Sequence, residues 1–375
     1  MSQRILHVCE TVPGGPASYL RELLPLQFSR FGRANIALVM PAEHAQYIGD
    51  VPLEHVYLWT RRGRDVPSFL SLARRLWSAI VTFRPDVVHI HSTYAGVIGR
   101  IVCAIHPHRC VVVYCSHGWS FSMDASALHR AGFKLIERTL SAVTDGIVNI
   151  SDFEARLAAE AGIPIRMQRT ILNGINDLRE PDPGRKSTGY PIRLLFVGRH
   201  DPQKGLDILL DAMRRVAGGR VTLDVVGGAQ VSASRFEVDG KSPVHFTGWL
   251  DREEVFRRIA AADAVVMPSR WEGFGLVAIE AFRAGVPVLA SKRGALPEIV
   301  TDGDTGYLFE PDPESLLACI GRLDKSDLIR MGHNARAVFL QKYTARRMSF
   351  ELGDFYAELT AKRRFKPVNV ETEKV

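Results

Sequence analysis

Short apolar runs alternate with longer stretches of helical periodicity along most of this chain. In the first half, residues 4–9, 36–40, 86–91, 111–115 and 146–150 have the length and continuous apolar character of strands buried on both faces. Between them, residues 17–28, 67–83, 94–104 and 128–143 carry apolar side chains at helical spacing. A break follows at 178–190 (L-R-E-P-D-P-G-R-K-S-T-G-Y), rich in Pro, Gly and charge, which reads as an interdomain linker. The alternation then restarts, with strands at 193–197, 222–226, 244–247, 264–267 and 288–290 and helices at 206–216, 251–261, 275–283 and 314–323. Residues 328–360 are helical in pattern, and 362–366 (K-R-R-F-K) open a polar tail. Alternating strand and helix predict parallel sheets covered on both faces, and 375 residues exceed what one core serves. The expected architecture is α/β: two Rossmann-like doubly wound domains, residues 1–177 and 191–340, with a ligand cleft beyond the strand carboxyl ends.

Composition alters this picture little. The chain is 46% hydrophobic and 24% charged, as in ordinary globular proteins, and no apolar stretch reaches the ~18–20 residues that span a bilayer. The five cysteines form no C-x-x-C pair and sit in apolar runs, so they are expected as buried free thiols in a reducing compartment. With no signal peptide at residues 1–10, a cytoplasmic location is expected. The net charge of +7 admits an anionic membrane, a phosphate-bearing substrate or nucleic acid. No zinc, RNP or helix-turn-helix pattern supports nucleic acid.

Chemistry concentrates in a few loops. The segment Pro268-Ser269-Arg270-Trp271-Glu272-Gly273-Phe274-Gly275 follows an apolar strand and opens a helix that carries Glu280. Its glycines allow close backbone approach, and free N–H groups at a helix start favour an anion. Glu280, among apolar neighbours, needs hydrogen-bond donors such as sugar or ribose hydroxyls. Either glutamate alone reads more readily as a solvated loop or helix-surface charge; the pair around Gly-Phe-Gly does not. Residues 196–205 (F-V-G-R-H-D-P-Q-K-G) place Arg199 and Lys204 after a strand that ends at Gly198, two cations suited to a diphosphate. Ser116-His117-Gly118 ends another strand; a histidine there is either structural or a partner for a sugar hydroxyl. His89 and His91 are read as falling on alternating faces of their strand, which would make them a poor metal pair. The Pro13-Gly14-Gly15-Pro16 loop lacks G-x-G-x-x-G, which disfavours a nicotinamide-dependent oxidoreductase, and Asn173-Gly174 marks a turn.

Together these segments resemble the retaining glycosyltransferases of family four, of the GT-B fold. The resemblance runs through Gly14-Gly15, D-V-V-H-I-H at 86–91, S-H-G at 116–118, Ser151, N-G-I at 173–175, V-G-R…K-G at 197–205, F-T-G-W at 246–249 and the E-x7-E pair Glu272 and Glu280. It implies a nucleotide-sugar donor, UDP- or GDP-linked, bound mainly by the second domain. Arg199 and Lys204 would contact its diphosphate and Glu272 the sugar hydroxyls, with the amides of Phe274, Gly275 and Leu276 near sugar and phosphate. Glu280 would bind the ribose, Trp249 and Leu250 the base, and Asn173 and Gly198 would present backbone to the donor. His117 would lie near the donor sugar and Gly14-Gly15 near the diphosphate, while residues 341–375 would return to the first domain. Asn176, where many members have Asp, and Pro16, after the glycine pair, depart from the pattern. No metal cofactor is expected, because cations and helix amides would stabilise the leaving diphosphate; Glu272, Arg199, Lys204 and His117 would carry catalysis.

The acceptor side is read from the first domain. Arg61, Arg62 and Arg64, with Arg74 and Arg75 near Trp77, suit either an anionic membrane surface or a solvated basic face. On the membrane reading the acceptor is a glycan or lipid-linked sugar, in exopolysaccharide or lipopolysaccharide synthesis. The rivals are a nucleotide-sugar epimerase of the same fold and a non-catalytic sugar-nucleotide-binding module.

Overall fold

A computed structural model describes residues 3–12, 14–48, 54–122, 126–177, 189–216, 219–228 and 243–364. Pro13, most of the expected linker and the end of the polar tail lie outside them. The chain forms two compact units, one comprising Met1–Ile150, Glu154–Leu172 and Ala345–Val375, the other Ser151–Phe153 and Asn173–Thr344.

The first unit runs β1 (Ile5–Cys9), α1 (Gly15–Phe31), β2 (Ile36–Pro41), β3 (His55–Trp59), α2 (Val66–Phe83), β4 (Val87–His91), α3 (Thr93–Ile105), β5 (Val111–Cys115), α4 (Ala127–Leu140), β6 (Gly146–Asn149), α5 (Asp152–Glu160, whose first two residues cluster with the other unit) and β7 (Gln168–Thr170). The strands form one sheet in the order β3-β2-β1-β4-β5-β6-β7, with every pairing parallel. β1, β2, β4, β5 and β6 are buried throughout, which explains their continuous apolar runs. The second unit repeats the plan with β8 (Ile192–Val197), α6 (Leu206–Arg215), β9 (Val221–Val226), β10 (Val244–Gly248), α7 (Arg252–Ala261), β11 (Ala264–Met267), α8 (Leu276–Arg283), β12 (Val288–Ser291), α9 (Leu296–Ile299), β13 (Gly306–Phe309), α10 (Pro313–Gly321) and α11 (Lys325–Lys342). Its parallel sheet has the order β10-β9-β8-β11-β12-β13. Each sheet grows outward in both directions from its first strand. The order therefore reverses between β1 and β4 and between β8 and β11, the places where ligands of doubly wound sheets bind.

The last helix, α12 (Ala345–Arg364), belongs to the first unit. Gln3 donates to the Thr360 hydroxyl, Arg30 pairs with Asp354 at 2.8 Å, and Phe355 and Leu359 occupy the space that a side chain at Gly146 would fill. Residues 328–360, read as one helical stretch, break at Tyr343-Thr344. There the Tyr343 carbonyl accepts from Ile175 N–H at 2.9 Å and Thr344 bridges Ile175. β3, β7 and β13 went unpredicted. β3 is an edge strand with two of its five side chains exposed, and the others span three and four residues. All five cysteines are buried and free.

Candidate active site

In the second unit, the loops that leave β8 and β11 meet at the reversal point. Arg270 N–H donates to the Gln203 carbonyl at 2.8 Å, and the Arg270 guanidinium grips Asp207 at the start of α6 with two bonds of 2.8 and 2.6 Å. Gln203 in turn donates to the Trp271 carbonyl. Asp201 caps the short turn before Gly205 by accepting from Lys204 N–H. Gly205 then takes a left-handed conformation (φ 66°), and a Cβ there would strike the Pro268 carbonyl. Gly205→Ala is therefore expected to destabilise the second unit by roughly 2 kcal/mol or more, read as a lower denaturant midpoint.

This seam brings together two residues that the sequence placed in separate motifs. Lys204 Nζ lies 2.7 Å from Glu272 Oε2, and the two side chains are 19% and 11% exposed. Ser269 donates to the same carboxylate oxygen at 3.3 Å, and the Glu272 carbonyl is fixed by Ala295 N–H at 2.9 Å. Arg199 lies on the same loop as Lys204, paired with Asp201 at 3.0 Å and bonded to Gln203. Gly275 (φ 104°) ends the loop after β11 and begins α8 with no side-chain cap, so the first amides of α8, Leu276 among them, have no side chain capping them. Phe274 is buried, its ring edge-on to Tyr343. Glu280 lies about 6 Å further along α8 and is half-buried. Gly198 N–H bonds the Val226 carbonyl, and Trp249, 62% exposed, packs its indole where a side chain at Gly228 would stand; Leu250 beside it is half-buried. Asn173 is buried in this unit. Ser151 donates to the Gly273 carbonyl at 2.8 Å, giving that serine a structural task at the glutamate loop. Sequence reasoning passed over Asp201, Gln203, Ser269, Asp207 and Arg270. A capping aspartate three residues before Lys204 was the one local signal.

His117 and Gly14-Gly15 belong to the first unit. Gly14 (φ 90°) caps α1, which starts at Gly15. His117 follows β5 with φ 52°, a left-handed conformation uncommon for a residue with a side chain. His89 and His91 correct the expectation of opposite faces. Residues two apart on a strand share a face, and these rings lie with centroids 4.2 Å apart. With His7 of β1 they form a buried group whose ring nitrogens lie within 4.8 Å of one another. Burial lowers the pKa of His7 and His117 to about 4 and those of His89 and His91 well below the usual histidine value. Below the His117 loop, the buried Glu154 accepts from Ser116, and desolvation raises its pKa to about 8.

Comparison with known proteins fits this geometry. A model described as Glycosyltransferase Family 4 matches residues 29–179, and one described as Glycosyl transferases group 1 matches residues 191–325. A Klebsiella pneumoniae protein, named as an uncharacterized 41.2 kDa protein in a cps region, is 32% identical over 81% of this chain and 85% of its own. The phosphatidyl-myo-inositol mannosyltransferase of Mycobacterium leprae is 28% identical over 85% and 86%. Among solved structures, Anabaena Alr3699/HepE in complex with UDP-glucose superposes with a TM-score of 0.76 at 20% identity, covering 95% of this chain and all of that one. With both units matched, the chain is a glycosyltransferase of the GT-B fold and belongs to glycosyltransferase family 4, group 1.

Proposed function

We propose that this enzyme moves a sugar from a UDP- or GDP-sugar to a glycan or lipid-linked acceptor, with retention at the anomeric carbon and without a metal. The observation that carries the reading is the Lys204–Glu272 pair beside Arg199 at the sheet's reversal point, where α8 begins without a side-chain cap. On this reading Arg199 and Lys204 neutralise the diphosphate, helped by the amides of Gly275 and Leu276. Glu272 accepts from sugar hydroxyls, Glu280 from the ribose, and the exposed Trp249 with Leu250 meets the base. Breaking the C1–O bond sends its electron pair to the diphosphate. The acceptor oxygen bonds C1 on the same face, and its proton passes to a departing phosphate oxygen. His117 meets a sugar hydroxyl.

The UDP-glucose bound by HepE, the lipid in the mannosyltransferase's name and the cps region of the Klebsiella relative support this class of donor, acceptor and pathway. The test is a panel of UDP-, GDP- and ADP-sugars, scored by thermal shift and then by turnover with extracted lipid acceptor, with and without EDTA. Transfer undiminished by EDTA is expected. Nucleotide released from donor alone, without acceptor, would mark an epimerase, and binding without turnover a non-catalytic module.

A membrane contact is part of the proposal, and α4 supports it more than the arginines after β3. Arg61 is engaged by Glu10 at 2.8 Å and Arg75 by the Leu58 carbonyl. α4 instead offers Leu128 and Leu135, 83% and 65% exposed, about half a turn from Glu137, which is buried against Arg100 at 2.6 Å. Arg130, Lys134 and Arg138 line one flank at i, i+4 and i+8. Such a helix suits an anionic lipid surface. Co-sedimentation with anionic but not neutral vesicles, lost in Leu128→Ser/Leu135→Ser, is expected; equal binding to both vesicle types would remove this part of the proposal.

A further inference from the structure

Two buried histidines of the first unit, His7 and His91, join Gln27 to His117 in one hydrogen-bonded line from α1 to the loop after β5. Gln27 Oε1 lies 2.8 Å from His7 Nε2, His7 Nδ1 lies 3.0 Å from His91 Nε2, and His91 Nδ1 lies 2.9 Å from His117 Nε2. A neutral imidazole has one N–H and one lone pair, so such a line has a direction. With the Gln27 amide turned so that Oε1 rather than Nε2 meets His7, Gln27 only accepts. His7 therefore donates from Nε2 and accepts at Nδ1, His91 must donate from its own Nε2, and the same rule makes His117 donate from Nε2. His7, His91 and Gln27 are fully buried, and desolvation keeps the rings neutral. The line ends at His117 Nδ1, which has no hydrogen-bond partner among the described residues. The positive φ of His117 costs energy that the surrounding contacts must offset, and Tyr19 holds the ring edge-on at 4.8 Å.

We propose that Gln27, His7 and His91 are positioning residues that hold His117 in the Nε2–H tautomer and so present Nδ1 as a fixed acceptor for a sugar hydroxyl. The inference rests on the reading of His117 as a residue that meets a sugar. A ring locked this way accepts from a hydroxyl and offers no proton of its own. A sugar lacking that hydroxyl would leave the nitrogen unpaired, which is a route to selectivity.

The experiment is long-range 1H–15N correlation on the full chain labelled with 15N-histidine, without donor, with the His117 signals identified by their absence in His117→Gln. The expected spectrum shows His7, His91 and His117 neutral and Nε2-protonated, unchanged between about pH 6 and 8. Gln27→Met removes the terminal acceptor while keeping the chain length, and is expected to turn the single His117 tautomer into a mixture. Wild-type His117 found protonated at Nδ1 or cationic would overturn the proposal. So would a His117 signal unmoved in folded Gln27→Met, or stoichiometric zinc found by elemental analysis and displaced by His89→Gln. Should Gln27→Met not fold, the wild-type tautomer decides alone. Because the readout needs no donor, its failure leaves the Lys204–Glu272 reading standing, and a failed donor panel leaves the histidine line standing.

Discussion

Turnover of Lys204→Ala and of Glu272→Ala is expected to fall about 10²-fold or more, with the fold retained. Both side chains are largely withdrawn from water, where a fixed charge acts through a lower dielectric than at the surface. Removing one preorganised group that stabilises transition-state charge typically costs about 2.7–4 kcal/mol, or roughly 10²–10³ in rate. On the proposed reading Lys204 faces the charge that develops on the leaving diphosphate, so its loss is expected chiefly in kcat. On the same reading Glu272→Ala loses sugar-hydroxyl contacts made before and during transfer, so KM for the donor is expected to rise as well. Because the two hold each other at 2.7 Å, the double variant is expected to cost less than the sum of the single ones. Steady-state kinetics on the active donor from the panel checks this. Turnover unchanged in either single variant would remove these residues from the active site.

Acid is expected to destabilise the first unit well above the pH at which most carboxylates are protonated. His7, His89 and His91 are buried and held neutral, with His7 lowered to about 4 and the other two well below the usual histidine value. Unfolded, each titrates near 6.5. Between about pH 6.5 and 4 the unfolded chain therefore binds more protons than the folded one, and stability is lost as pH falls. At pH 5.5 His7 alone contributes about 1.4 kcal/mol of destabilisation, and His89 and His91 act in the same direction. The groups around them are Tyr19, Tyr356, Cys9, Cys115, Gln27 and His117, none of which offers a carboxylate to stabilise an imidazolium. Glu154 works in the opposite sense. Raised to about 8, it is neutral in the fold, so its contribution falls as pH rises from 4.5 to 8. Three histidines outweigh one glutamate on the acid side. Urea midpoints at pH 7.5 and 5.5 measure the loss, and His89→Gln is expected to shrink the difference. Equal midpoints at the two pH values would contradict neutral burial.

The site loops were legible because their chemistry is local. Glycines, paired cations and glutamates after apolar runs announce strand ends and helix starts, and residues 198–205 and 268–280 stand where those signals put them. The contact of Lys204 with Glu272 was not legible. It depends on β8 and β11 being neighbours, and alternation of strand and helix fixes that the sheet is parallel without fixing strand order. β7 is too short to show a period, β13 (G-Y-L-F) lacks the continuous apolar run of the fully buried four-residue strands, and β3 alternates at an edge. The histidine cluster was hidden by a misapplied periodicity: His89 and His91 share a face, and His7 joins them through the β1–β4 register, where it stands opposite His89. Trp249 gave a motif match, but its seat over Gly228 follows from β9 and β10 ending side by side.

The placement of α12 has a consequence for synthesis. A ribosome makes residues 3–172 first, then the whole second unit, and only afterwards the helix that bonds Gln3 and puts the Tyr356 hydroxyl 2.6 Å from His89. Until then the β6 face at Gly146 and the histidine core lack their cover, so the earlier-made unit is the later one to finish. Such long-range closure slows folding and leaves apolar surface open to wrong partners in the interval. Chains stopped just before residue 345 should therefore lose the first unit's solubility while keeping a folded second one.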